Sequence, residues 1–105
     1  MTESEVQTML ATSKLPVFRG HAPVGTTVPY MVTHVDYTNN MGADNITYFK
    51  VPQYTVELYN NKPDATVRGL IESILTENEL AFTSDEVDME EQGLFLTYYY
   101  FGGLR

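Results

Sequence analysis

Apolar residues along this chain change period several times, and each change marks an element. Near the start, Val6, Met9 and Leu10 recur at i, i+3 and i+4, the spacing of one helix face. Thr2 and Glu5 have the spacing of a capping box in front of them. This predicts a short helix that has ended by Pro16, because the residue before proline avoids the helical region. Residues 15–19 read as a short strand, followed by a loop holding Gly20, Pro23 and Gly25. Residues 28–37 read as the next strand, with large apolar residues in both alternating sets, so the pattern leaves its inward face open. The densest turn chemistry follows, Thr38-Asn39-Asn40-Met41-Gly42-Ala43-Asp44, predicted as a long, mobile hairpin loop.

Residues 46–59 return as a strand in which Pro52 requires an edge position or a bulge. Past Pro52 the alternation is plain: Tyr54, Val56 and Leu58 take one face, Thr55, Glu57 and Tyr59 the other. Asn60-Asn61-Lys62-Pro63 is a turn, and Asp64 is a good N-cap for the main helix. That helix sets Val67, Leu70, Ile71, Ile74 and Leu75 on one side, a stripe suited to packing on a sheet. Gly69 inside it costs about 1 kcal/mol against alanine, which implies a close neighbour. Residues 80–89 and 94–101 complete a hairpin turning at Glu91-Gln92-Gly93. The simplest solution is a single α+β domain over residues 1–105: one antiparallel or mixed β-sheet with a main helix and a short N-terminal helix packed on it.

Charge narrows the partners. Six basic residues against fourteen acidic ones give a net charge of -8, the wrong sign for neutralising phosphates, so direct nucleic-acid binding is not expected. There is no cysteine, which excludes disulfide and thiolate chemistry. The acidic start is followed by no apolar run of the signal-peptide kind, and no stretch approaches the length that spans a bilayer. A soluble protein made in the cytoplasm, without membrane contact, is the expectation.

Catalytic and cofactor chemistry finds little support. His21 and His34 have no metal-ligand spacing and no cysteine to join them. Ser4, Ser13, Ser73 and Ser84 lack the sharp-turn setting of a nucleophile, and no phosphate-cradling glycine motif occurs. The segment starting at Asp36 fails as a calcium loop, because Gly42 is its seventh position and Thr47 stands at the twelfth. The expectation is no enzyme, no cofactor and no metal.

Two features favour interaction. In Asp85-Glu86-Val87-Asp88-Met89-Glu90-Glu91, strand alternation puts Glu86, Asp88 and Glu90 on one face, and Val87 and Met89 on the other. The negative face either meets solvent, or DNA that must slide past, or a basic partner. The closing strand carries five aromatic rings, with Tyr98 and Tyr100 on one side and Phe95, Tyr99 and Phe101 on the other. A small domain covers one sheet face with its core. Either some of these rings stay exposed as an interface, for which tyrosine is well suited, or the first helix covers the second face.

Element order and several residues together resemble one family, the tail-completion (tail terminator) proteins of long-tailed bacteriophages and prophages. The likeness rests on the short N-terminal helix, on Pro23-Val24-Gly25 leading through Val28-Pro29-Tyr30-Met31-Val32, and on the polar hairpin loop. It continues in Tyr54-Thr55-Val56-Glu57-Leu58-Tyr59 running into the Asp64 helix, in Phe82, and in Leu96-Thr97-Tyr98-Tyr99-Tyr100-Phe101. The resemblance implies a structural protein of the virion, made in the host cytoplasm. Such a protein forms a homo-oligomeric ring, usually a hexamer, at the head-proximal end of the tail. The ring stops growth of the tail tube protein, meets the head–tail connector protein and lets DNA pass through its lumen. A ring needs two different patches on each subunit. The candidates are the loop with Asn39, Asn40, Met41 and Asp44, and the outer face of the last strand with Tyr98 and Tyr100. Glu86, Asp88 and Glu90 are the candidate lumen or partner face. Alternatives are another head–tail connector or minor tail protein, or a small acidic protein-binding module such as an inhibitor or nucleic-acid mimic.

Overall fold

The computed structural model describes residues 2–41 and 48–102. Helix α1 (Glu3–Ala11) starts at the capping box: the Thr2 hydroxyl accepts from the Glu5 N–H at 3.2 Å, and the Glu5 carboxylate accepts from the Thr2 N–H at 2.8 Å. Its Val6, Met9 and Leu10 are buried, as their spacing predicts. Strand β1 (Val17–Arg19) follows, then β2 (Tyr30–Met41) and β3 (Tyr48–Asn60). Helix α2 (Ala65–Glu77) is capped by Asp64, whose carboxylate accepts from the N–H groups of Thr66 and Val67 at 3.0 and 3.3 Å. Strands β4 (Thr83–Met89) and β5 (Leu94–Gly102) close the chain, joined by a 3-10 turn that Gly93 leaves at φ 65°.

The five strands form one mixed sheet in the order β1-β2-β3-β5-β4, antiparallel throughout except for the β1–β2 pair. The α+β expectation, with two helices on one sheet, therefore holds. Both helices lie on the same face. Val6, Met9 and Leu10 of α1 join Ile71, Ile74 and Leu75 of α2 over Met31, Tyr54, Val56, Leu58, Tyr99 and Phe101 in one core. Gln7 of α1 also donates to the hydroxyl of buried Thr33, which satisfies that polar side chain beneath the helix. Of the two possibilities for the second sheet face, coverage by the first helix is thus excluded.

Three local expectations change. Residues 38–41 are not loop but the end of β2, where Asn39, Asn40 and Met41 pair with Lys50, Phe49 and Tyr48, and strand pairing has overridden their turn preference. Among the described residues the last β3–β5 pair is Gln53 with Gly102; beyond it β2 and β3 run on as a two-stranded ribbon, which gives Pro52 the local edge it needs. Leu70 is 42% exposed at the margin of the helical stripe. Gly69 is exposed and a Cβ there would meet nothing within 4 Å, so no close neighbour explains it.

Candidate interaction surface

With both helices on one side, strand alternation decides what the other side presents. The registers bring Phe18 of β1, Tyr30, Val32 and His34 of β2, Thr55, Glu57 and Tyr59 of β3, and Leu96, Tyr98 and Tyr100 of β5 onto the uncovered face. Val87 of β4 joins them and is 42% exposed. Tyr30 and Tyr59 are cross-strand partners and stack with ring centroids 4.8 Å apart, while Phe18 meets Tyr30 edge-on at 6.1 Å. Tyr98 and Tyr100 stack along β5 at 6.2 Å. These rings bury Val32 and Leu96 against the sheet. Part of an apolar layer is therefore built from Phe18 and tyrosine rings, without a second set of helices.

A charged group stands in the middle of it. The Tyr59 hydroxyl donates to Glu57 Oε1 at 3.0 Å, and His34 Nε2 lies 3.2 Å from the same oxygen. Burial raises the Tyr59 phenol well above the ordinary phenol range, with the Glu57 carboxylate adding to it, and burial raises Tyr98 in the same way. Both phenols therefore stay neutral at physiological pH. Gly20, His21 and Ala22 border a shallow depression of about 410 Å³ whose floor includes Tyr30, Val32, His34, Glu57 and Tyr59. A larger concavity of about 500 Å³ lies at the β4–β5 turn and is lined by Asp88 to Gln92. Among the described residues no group of three or more histidine, aspartate or glutamate side chains is placed to hold a metal ion.

The candidate residues from the sequence fall into three separate places. Tyr98 and Tyr100 lie on the uncovered face, and Tyr100 is 39% exposed. Asn39, Asn40 and Met41 belong to the β2–β3 ribbon, not to a loop, and Asp44 lies outside the described residues. Glu86 and Asp88 turn to the helix side of β4, and Glu90 has left the strand for the 3-10 turn. Glu86 is also not a free carboxylate, because Arg68 of α2 pairs with it and with Glu72, the latter at 3.7 Å. The side of β4 that joins the tyrosine face carries Thr83, Asp85, Val87 and Met89. Sequence reasoning did not single out Phe18, Tyr30, His34, Glu57 and Tyr59 as part of this surface. The signal was the set Thr55, Glu57 and Tyr59, opposite the inward set of β3.

The arrangement gives a flat, aromatic, hydrogen-bonding sheet face that also carries the carboxyl groups of Asp36, Glu57 and Asp85, suited to protein contact rather than to enclosing a small molecule. No helix is long and apolar enough to cross a membrane among the described residues. No family model matches this chain, and no curated protein matches it either.

Proposed function

We propose that this protein is a structural assembly subunit of a long-tailed phage or prophage, a tail terminator that closes into a homo-oligomeric ring at the head-proximal end of the tail. The observation that carries the reading is the tyrosine face, which both helices leave uncovered. Stacked, half-buried tyrosine rings on three adjacent strands give this face an interface-like composition. The tail tube protein and the head–tail connector are the partners on either side of the ring. The charge of -8 favours a lumen that passes DNA without holding it. The β2–β3 ribbon supplies an arm able to reach beyond the body of the subunit.

The test is native mass spectrometry across protein concentration, with and without a tail-tube protein, followed by electron microscopy of the largest species. A discrete closed ring, with six copies as the leading expectation, supports the reading. A monomer under every condition overturns it and leaves a small acidic protein-binding module, whose partner would dock on the same tyrosine face.

A further inference from the structure

The two edges of the sheet carry opposite charge. Strand β4 and the turn after it hold Asp85, Glu86, Asp88, Glu90 and Glu91 with no basic residue between 83 and 91. At the far edge, residues 14–21 around β1 hold Lys14, Arg19 and His21 with no acidic residue. The backbone of β1 is half used. The Pro16 carbonyl accepts from the Met31 N–H and the Gly20 N–H donates to the Thr33 carbonyl, both at 2.9 Å. A parallel ladder engages every second residue, so Pro16, Phe18 and Gly20 serve β2 while Val17 and Arg19 turn their N–H and C=O groups outward. Among the described residues no further strand lies beyond β1 or β4.

We propose that the β4 edge of one copy adds to the β1 edge of the next, so that a second copy of this chain is the occupant of both. The proposal rests on the ring reading above and names its subunit seam. Three antiparallel pairings separate β1 and β2 from β4, so β4 runs opposite to β1. Copies related by rotation about an axis along the strands keep both strand direction and sheet face, and the new pair is antiparallel. Matching faces then selects the register. Phe18 and Val87 both lie on the uncovered face, and Arg19 and Glu86 both lie on the helix side. Setting Phe18 opposite Val87 brings Arg19 opposite Glu86 and Lys14 level with Glu91. Phe18 has spent its backbone groups on β2, so it forms a non-hydrogen-bonded pair with Val87, the closer kind. Arg19 and Glu86 have internal partners, Glu3 and Arg68, yet their side chains are 54% and 40% exposed and reachable by a second one. Opposite charge on the two edges also answers a physical problem: copies with net charge -8 repel unless the contacting patches differ in sign.

The experiment exploits the absence of cysteine. A Phe18→Cys, Val87→Cys double variant is mildly oxidised and run on a non-reducing gel. Within one subunit the two positions are separated by four strand spacings, roughly 19 Å, too far for a disulfide. The seam predicts a ladder of covalent species beyond the dimer for the double variant, reversed by reductant, while each single variant stops at a dimer. Rings in native mass spectrometry without a ladder overturn the seam and leave the ring reading standing. Neither rings nor a ladder overturns both. Should the double variant fail to fold, the unmodified protein is cross-linked with a carbodiimide as a mixture of light and heavy isotope forms. Mixed-isotope links from Lys14 to Glu90 or Glu91 support the seam, and their absence in a sample that forms rings refutes it.

Discussion

Replacing Tyr99 by phenylalanine should weaken the fold at neutral pH and protect it at high pH. The ring is fully buried, packs edge-on to Phe82 at 5.7 Å, and its hydroxyl donates to Glu72 Oε2 at 3.0 Å. Deleting that hydroxyl removes its hydrogen bond to the Glu72 carboxylate and its contact with the Arg68 guanidinium. Because Glu72 is 35% exposed and retains Arg68, the loss falls at the lower end of the range, about 1–2 kcal/mol. In a domain of this size each 1 kcal/mol lowers the melting temperature by roughly 4–8 °C. The alkaline limb has the opposite sign. Burial pushes the Tyr99 phenol up to about 12 from 10.0, with Glu72 adding to the rise and Arg68 opposing it. The unfolded chain therefore releases this proton first, and the wild type loses stability as pH rises from 10 to 12. The full shift is worth about 2.7 kcal/mol. The Tyr99→Phe variant has no such proton to lose, and other alkaline titrations are common to both proteins. Urea denaturation at pH 8 and at pH 11.5 should show a gap of 1–2 kcal/mol that closes, or reverses, at the higher pH. Parallel stability curves for the two proteins would refute the reasoning.

Three further outcomes test local geometry. Glu79, just past the Asn78 cap of α2, holds φ 60°, with its own N–H bonded to the Thr76 carbonyl and the Leu80 N–H to the Leu75 carbonyl, so Glu79→Gly should stabilise by about 0.5–1 kcal/mol in chemical denaturation. Asp64→Ala leaves the Thr66 and Val67 N–H groups without their cap and should cost about 1 kcal/mol, read by the same method. Leu70→Ala should stay within about 0.5 kcal/mol of wild type, whereas Ile71→Ala, one residue further into the core, should cost about 2–5 kcal/mol by thermal melting.

The parts of the fold that depend on neighbours in sequence were legible in the chain. Thr2, Glu5 and Asp64 mark helix starts because a cap acts within three residues, and the sides of β3 and β5 follow from alternation alone. Periodicity also named Leu70, but a helical stripe is wider than the contact it makes, so its margin stays in solvent. Asn39 and Asn40 read as turn formers, yet a partner strand across the hairpin holds them extended. The centre of the tyrosine face was not legible. His34 meets Glu57, and Tyr30 meets Tyr59, only through the β2–β3 register, and Tyr98 lies beside Glu57 only because β5 inserts between β3 and β4. Periodicity fixes which side a residue takes, not which strand becomes its neighbour.

The position of β5 has a consequence for biogenesis. The last of the five described strands in chain order is not an edge: it sits between β3 and β4 and contributes Tyr99 and Phe101 to the core. While it is still within the ribosome, β4 has no strand to pair with and β3 has one bare flank. Closure of the five-stranded sheet therefore waits for translation to pass Gly102. Insertion of β5 between two strands already made is thus the step that completes the core.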